Sequence, residues 1–575
     1  MKEKKRILIL GAGFMQGQAI RAAKELNCEV IAVDGNPNAA CAYLADIFYP
    51  IDLKDVTSLI KLGKELKNQG GLDGVFTAAT DFSASVAAVA QACSLPGHSL
   101  TAAVFASDKI KMRQCFEKAG VPSPLFTEIK KDDIECAKKI LTEKKIHFPV
   151  AVKPCDNMGA RGCKLVRKKE ELQTAIENAV KYSRSGKVIV EEFIDGEEFS
   201  LEALVINSEI FVTAIADRHI FFPPYFVEMG HTIPSAHSKE ETDELIRVFK
   251  LGIKALGLTN GAAKGDIFLR KKTIGGATDP LKNEAHRTAC IGEIAARLSG
   301  GYMSGWTVPY SSGLPVTRAA VRIALGEEVP ELKKGSPFLI VPTKENIKDI
   351  KKGGILQAGF SAERAWISIP GKIKKIYGLE DARTTEYVRD VLPRCFENDE
   401  TVFPRNNVEK CGNVLSAAPS YNDAVKASAA AVQKIVLRLE AQNKKTDEFL
   451  FNINKSVKNQ NNYEPNFFTF TDNFAKSLNG NFEEALRNSV LSEYNGIIIP
   501  SCFTDCANCS FDLHGLSIEG AVRTALKIEP ELKPFILKTQ ALNSRLNGTS
   551  VQLWLAFIRG SVQGLLYIFD CKSTR

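Results

Sequence analysis

Residues 5 to about 100 alternate between short unbroken apolar runs and longer stretches whose apolar positions recur three and four apart. Arg6–Leu10 predicts a strand, residues 16–26 a helix, and Glu29–Val33 a second strand. Residues 74–78 predict another strand and residues 83–93 another helix. Unbroken apolar strands separated by helices predict a parallel sheet covered on both faces. Asp108 and Lys109 open a helix through Lys118, ended by Ala119-Gly120-Val121-Pro122. Strands follow around residues 150–153 and 188–191, and a strand-rich region reaches Leu269. A helix-rich piece then runs to about Glu328, and residues 338–445 read as a smaller α+β unit closed by an alanine-rich helix over 421–441.

Punctuation along the chain divides it further. Residues 442–466 are polar and rich in Asn and Lys, which predicts a linker. Residues 467–575 then form an additional unit, with helix-like and strand-like runs at 519–527, 551–558 and 565–569. No internal repeat is evident. The expected domains are therefore 1–105, 106–330, 331–441, the linker 442–466, and 467–575. A chain of 575 residues is long enough for roughly three to five domains.

Composition narrows the class. The chain is 45% hydrophobic and 25% charged, with a net charge of +8 spread along its length. No basic stripe is interleaved with aromatic residues, so nucleic acid is not an expected partner. No apolar run reaches the roughly 18 residues of a membrane helix. The apolar run from Ile7 to Leu10 is too short for the core of a secretion signal and ends at Gly11. Eleven of the 14 cysteines are scattered singly, many in apolar segments, which fits reduced thiols in a cytoplasmic protein.

Candidate chemistry lies in four places. The turn Gly11-Ala12-Gly13-Phe14-Met15-Gln16-Gly17, with Asp34 ending the next strand, approximates a dinucleotide fingerprint. Its third glycine falls one place late, so a tight strand-to-helix turn is the favoured reading and a nicotinamide-dependent enzyme a distant one. A strand then delivers Lys153 into a loop that includes Asp156, Gly159, Arg161 and Gly162. Glycines let backbone N–H groups approach phosphates, and a lysine adds a point charge. Next, Glu191-Glu192-Phe193-Ile194-Asp195-Gly196-Glu197-Glu198 ends an apolar strand in acids and turns at Gly196. A strand end can read an adenine edge, and a carboxylate past the turn can accept ribose hydroxyls. Finally, Asp266 and Glu293 each sit in a strand-like run, with Arg297 four residues on. Two facing carboxylates can clamp Mg²⁺ between phosphates, and an arginine can hold a transferring phosphoryl oxygen.

In this order the parts resemble the ATP-grasp superfamily over residues 1 to about 445. The resemblance implies an α/β and α+β multidomain fold: a Rossmann-like pre-ATP-grasp parallel sheet, two ATP-grasp lobes, and here an extra C-terminal α+β unit. It implies that Lys109 and Lys153 contact ATP phosphates and that the loop 156–162 closes over them. Glu191, Glu192 and Ile194 then hold adenine, the latter two through backbone, and Glu198 binds ribose. Asp266 and Glu293 bind Mg²⁺, with Mn²⁺ as an alternative, and Arg297 steadies the transferring phosphate. Within the superfamily the chain most resembles carboxylate–amine ligases, especially bacterial L-amino-acid ligases. Three features carry this. Ala295 stands where carbamoyl-phosphate synthases and biotin carboxylases have asparagine. The segment with Glu228 and His231 resembles the ligases' substrate segment. Gly300-Gly301-Tyr302 through Trp306 follows Arg297 as their glycine-rich substrate loop does. The implied reaction joins a small-molecule carboxylate to an amine, amino acids by class, through an acyl phosphate. The alternatives are a nucleotide-binding regulatory protein without turnover and a carboxylase-type enzyme using bicarbonate. Ligases of this kind are often dimers, and a homodimer is one assembly the resemblance allows.

Some positions depart from the family. Asp266 replaces a glutamate, and 27 residues separate it from Glu293 where relatives have a short hairpin. If that insertion puts the strands out of register, the metal site is compromised. Met158 and Ala160 stand where relatives often carry serines. In the C-terminal unit, Cys502, Cys506, Cys509 and His514 could bind Zn²⁺ or an iron–sulfur cluster, or be free thiols.

Overall fold

The structure is a computed structural model and describes residues 4–130, 136–222, 224–271, 287–332, 359–451, 491–494, 497–500, 514–541 and 548–573. The chain divides into two compact units. The first comprises Met1–Ile220, Gly230–Glu363 and Ala417–Ala424; the second comprises Phe221–Met229, Arg364–Ser416 and Val425–Arg575.

The first unit opens on the expected parallel sheet. Strands β1 (Arg6–Leu10), β2 (Glu29–Val33), β3 (Ile47–Tyr49) and β4 (Gly74–Phe76) lie in the order β3-β2-β1-β4. Ile7, Leu8, Ile9 and Leu10 are all fully buried, which is why this central strand is apolar at every position rather than at alternate ones. The turn after β1 is filled from within. Gly11 adopts φ +102°, and a Cβ there would lie 2.8 Å from the Gln16 side chain. That side chain runs on to donate from Nε2 to the carbonyl of Ala78, at 2.7 Å, while Asp34 accepts from the Ala12 N–H. The turn is a strand-to-helix connection closed by its own glutamine.

A second sheet is wholly antiparallel, with β5 (Phe126–Ile129), β6 (Val150–Pro154), β7 (Lys164–Val166) and β8 (Val188–Glu192) in the order β5-β8-β6-β7. Val150, Val152, Val188 and Val190 pack with Leu172, Ala175, Ile176 and Ala179 of the helix Leu172–Tyr182.

The third sheet sets the chemistry. Its strands in the first unit are β9 (Gly196–Ile206), β10 (Glu209–Phe221), β11 (Val227–Ile233), β12 (Gly261–Arg270), β13 (Ala289–Ala295) and β14 (Phe360–Trp366), in the order β13-β12-β9-β10-β11-β14. One face meets the helix Lys239–Leu256, where Phe199, Leu201, Ala203, Ile267, Ile291 and Ile294 share a core with Leu245, Val248 and Phe249. Because strand side chains alternate, the other face receives Glu198, Ser200 and Glu202 from β9 and Lys264 and Asp266 from β12. A bulge completes it: Ile267 pairs with Ile291, but Asp266 pairs with Glu293. The extra residue, Gly292, moves Glu293 onto the polar face opposite Asp266. The insertion within residues 272–286 lies outside the described residues, and the flanking strands are in register.

In the second unit, β15 (Gly371–Tyr377), β17 (Glu400–Thr401) and β19 (Val436–Leu439) form a three-stranded sheet, β17-β15-β19. In the strand order β14 is followed by β18 (Gly412–Ala418) and then β16 (Val388–Pro393). Strands β20 (Leu491–Tyr494) and β21 (Ile497–Pro500) pair antiparallel. Three sequence expectations change here. The alanine-rich helix ends at Lys434, not 441, because the run Val436-Leu437-Arg438-Leu439 pairs as β19 with β15. The polar segment after it is helical at Lys444–Phe451, with Thr446 and Leu450 buried. The C-terminal residues do not stand apart: Trp554, Phe557, Leu566 and Tyr567 share one core with Trp366, Ile435, Leu437 and Leu439. The helix Gly548–Ser573 spans both runs that suggested separate elements and kinks at Ser561. Among the described residues no helix is long and apolar enough to cross a membrane.

Candidate active site

Lys109 and Lys153 arrive from different elements and pair with different acids, Glu293 and Glu191. Asp108 caps the helix Lys109–Ala119 by accepting from the N–H groups of Ile110 and Lys111. Lys109 is the first residue of that helix, and Arg113 follows four residues later on the same side. Lys109 Nζ lies 2.8 Å from the Asn157 carbonyl and 3.1 Å from Glu293 Oε1. Burial alone would push the ammonium pKa down, but the Glu293 carboxylate outweighs it and raises it. Burial likewise works against charge on Glu293, and Lys109 holds its pKa below the ordinary value.

Glu191, at the end of β8, is 1% exposed and bridges two cations. Arg113 Nε stands 2.7 Å from Oε1 and Lys153 Nζ 2.7 Å from Oε2. Burial opposes its charge, yet Arg113 and Lys153 hold its pKa below the usual range. Both carboxylate oxygens are therefore committed to cations, and the residue anchors Lys153. Glu192 is paired with Arg270 of β12 at 2.8 Å, and its N–H donates to the Leu125 carbonyl. Ile194 is buried.

The glycine loop has the shape its residues suggest. Gly159, Ala160 and Gly162 take φ of 67°, 59° and 73°, which only the glycines adopt without strain. A Cβ on Gly162 would lie 2.8 Å from the Tyr182 ring. Arg161 Nε donates back to the Met158 carbonyl. Asp156 braces the loop: it accepts from Ser183 Oγ and from the N–H groups of Arg184 and Ser185, at 2.8–3.0 Å. Burial opposes its charge, but these donors lower its pKa.

On the third sheet, Asp266 Oδ1 accepts from Ser200 Oγ at 2.9 Å and faces Arg218 Nη1 at 2.8 Å. Lys264 also ion-pairs with this oxygen, and Arg218 reaches on to Glu198. Burial would raise the Asp266 pKa; Arg218 and Lys264 hold it well below the usual carboxylate range. Glu202 is fully buried and clamps the glycine-rich segment after Arg297, accepting from the Ser299 N–H at 2.8 Å and from Ser304 Oγ. Burial pushes its pKa up.

Arg297 leaves the end of β13 toward the first sheet. Nε is 3.6 Å from Asp81, and Leu298 bridges in parallel to Ala78. Gly301 and Tyr302 take φ of 61° and 63°. That turn brings Trp306 into a stack on Phe14, with ring centroids 5.8 Å apart and planes 13° apart, and edge-on to Tyr302. His231 is buried, with Nε2 2.6 Å from Thr307 Oγ1 and Nδ1 2.7 Å from Glu363. Glu228 belongs to the second unit, where its N–H donates to Asn407 Oδ1 and its carbonyl accepts from Lys410 Nζ. Cys502, Cys506 and Cys509 lie outside the described residues; His514 is buried.

The structure thus gathers Lys109, Lys153, Glu191, Glu293 and Asp266 into one charged face. It adds Arg113, Arg218, Lys264, Ser200, Glu202 and Arg270, which motif reading passed over. Two signals could have found some of them. Lys264 precedes Asp266 by two and so shares its face, as do Glu198, Ser200 and Glu202. Arg113 follows Lys109 by one helical turn. Arg270 follows Asp266 by four on the same strand and shares its face by the same alternation; Arg218 leaves no such trace, because strand pairing alone brings it in.

Comparison with known proteins finds matches to two family models and to several solved structures. The ATP-grasp domain family matches residues 146–275, and L-amino acid ligase C-terminal domain 2 matches residues 365–440. The chain is 25% identical over 351 residues to the carbamoyl phosphate synthase large chain, N-terminal section, of Methanopyrus kandleri. That match takes in 57% of this chain and 58% of the relative, so the chain spans less than two thirds of the relative's length. Among solved structures, an L-amino acid ligase from Bacillus licheniformis superposes with a TM-score of 0.61 at 19% identity, covering 76% of this chain and 100% of that one. A phosphoribosylglycinamide synthetase from Anaerococcus prevotii gives 0.55 at 23%, covering 76% and 100%. The biotin carboxylase domain dimer of the Hydrogenobacter thermophilus 2-oxoglutarate carboxylase gives 0.56 at 19%, covering 76% and 91%. At these identities the structural likeness shows the fold: the mixed α/β multidomain ATP-grasp architecture expected from the sequence.

Proposed function

We propose, from the premise that this chain carries an ATP-grasp domain and an L-amino acid ligase C-terminal domain, that it is an ATP- and Mg²⁺-dependent ligase. It joins a carboxylate to an amine, both amino acids by class, through an acyl phosphate. The observation that carries this reading is the cross-strand pair Asp266–Glu293, with Lys109 on Glu293 and Lys153 held nearby by Glu191.

The donor set suits Mg²⁺, a hard cation that prefers carboxylate oxygens and retains phosphate and water ligands. Glu293 would hold it, with Asp266 alongside; among the described residues only one oxygen of Glu293, Oε1, is engaged. When bound, Mg²⁺ neutralises charge on the β- and γ-phosphates. The residues of the chain do the rest. Lys109 and Lys153 pair with phosphate oxygens, and the glycine loop closes over them. Glu192 and Ile194 offer backbone to adenine, Glu198 lies toward ribose, and Glu191 orients Lys153 from beneath. A substrate carboxylate oxygen attacks the γ-phosphorus, the bond to the β-phosphate oxygen breaks, and ADP leaves. Arg297 steadies the transferring phosphoryl group. The amine nitrogen then attacks the acyl carbon, phosphate departs, and the nitrogen loses a proton. His231, Gly301 and Trp306 of the first unit take the substrate side. Positioning and electrostatics dominate, and loop closure keeps water from the acyl phosphate.

Phosphate release from ATP and Mg²⁺ across all pairs of the twenty amino acids tests this, with a bicarbonate arm and Glu293→Ala as control. Release that needs particular amino acids and vanishes in the variant supports the ligase. Release with bicarbonate alone supports the carboxylase-type alternative, consistent with the synthase relative. ATP binding without release in any arm would leave the regulatory alternative standing.

A further inference from the structure

The two carboxylates of the metal pair are not equivalent. Glu293 offers the more open side chain, 31% exposed against 15% for Asp266, and among the described residues its one ion pair is with Lys109, while the charge of Lys264 reaches it from farther off. Asp266 faces two, because Arg218 and Lys264 both contact Oδ1, which also accepts from Ser200. Lys264 also acts electrostatically on Glu202 and Glu293, but its ion pair is with Asp266. Its cross-strand partner on β9 is Glu202, and that residue already accepts from the Ser299 N–H and Ser304 through Oε1. A divalent ion placed on Asp266 would sit against two fixed positive charges, at a distance where like charges repel strongly in a part-buried site.

We propose that this site works with one divalent ion, held at Glu293, and that Lys264, seconded by Arg218, supplies the positive charge at Asp266 where a second ion would otherwise sit. The inference rests on the ligase reading above and deepens it. Lys264 is then a charge-positioning residue: it completes the cationic wall around the phosphates from the protein side. With one ion site rather than two, the enzyme would depend on divalent ion to the first power.

The test is a count of bound Mn²⁺ on the full chain with a non-hydrolysable ATP analogue, adenylyl methylenediphosphonate, read by electron paramagnetic resonance. The native chain is expected to hold one Mn²⁺ in the ternary complex, with an uncoupled spectrum, and Glu293→Ala to lose it. Lys264→Ala is expected to admit a second ion at least tenfold more tightly than the native chain and to show spin coupling between the two. Lys264→Gln, closer in size, gives the same readout if the alanine variant does not fold, and Lys264→Arg should retain one ion. Two coupled ions in the native ternary complex would overturn the inference while leaving the ligase reading intact. A count of one in the folded Lys264→Ala and Lys264→Gln chains would also overturn it. No binding of the analogue at all would overturn the ligase reading, and this inference with it.

Discussion

Each unit of this chain buries an arginine among carboxylates, and the two clusters end differently. In the first unit, Arg113 and Lys153 flank Glu191, which is 1% exposed. In the second, Arg438 faces Asp570 at 2.5 Å and Glu529 at 3.0 Å. The second cluster is closed around its arginine: Arg438 is 10% exposed and also reaches Tyr377 Oη, while the exposure in this cluster falls on the acid Glu529 and on Lys374 at its edge, 3.9 Å from Asp570. The first cluster is open at one end, because Lys153 is 19% exposed. A closed ion cluster fixes how elements meet. An open one keeps a cation oriented yet available, which is what a phosphate needs.

Substitutions can break that contrast. The largest effect is expected from Glu191→Ala, which leaves Arg113 buried without its anion and frees Lys153: a stability loss of about 3–5 kcal/mol, measured by urea denaturation. ATP-dependent phosphate release should fall in the same variant, and Glu191→Gln should recover part of the stability but little of the rate. Next comes Lys153→Met, which should slow turnover by about 10²–10³-fold with only a small change in the unfolding midpoint. Arg438→Met should do the reverse. It should cost about 3 kcal/mol of stability while the surviving folded fraction keeps its rate. If Arg438→Met slowed turnover of folded chains as much as Lys153→Met does, the distinction between open and closed clusters would be wrong.

Acid sharpens the comparison. The folded-state pKa values of Glu191, Asp266 and Glu293 are lowered. Their contribution is therefore full above the unfolded carboxylate value, about 4, and is lost as pH falls through the folded values. Glu202 runs opposite. Its pKa is raised by burial, so its contribution is full below the unfolded value and fades as pH rises through the folded one. The smallest predicted effect follows: Glu202→Gln, which keeps an acceptor for Ser299 and Ser304, should gain about 1 kcal/mol relative to the native chain between pH 5 and pH 8. Unfolding curves at the two pH values measure it; a gain that shrinks with pH would contradict the upward shift at Glu202.

Much of the fold was legible because it is locally encoded. The apolar run in β1 announced a strand buried on both faces, and Asp108 with Gly120 bounded a helix whose caps the structure repeats. Where local pattern misled, a distant partner decided. Residues 436–439 continue an alanine-rich helical pattern, but their β-branched and apolar side chains pair with β15. The polar segment after Gln442 folds as a helix because Tyr567 bonds Asn443 and Asp447 from far along the chain.

At the site, residue type was readable and partnership was not. The order of lysines, glycines and acids, with their spacings, was enough to point to phosphate chemistry, because glycine conformation and strand alternation are local properties. Tertiary structure decided which acids are enclosed by the protein's own cations and which are left more open. The resemblance implies adenine contact for Glu191, yet Arg113 and Lys153 enclose its carboxylate. Asp266 and Glu293 are 27 residues apart in sequence, and only the bulge at Gly292 sets them opposite each other. Charge pairing across strands depends on register, and register is a property of the assembled sheet rather than of any one strand.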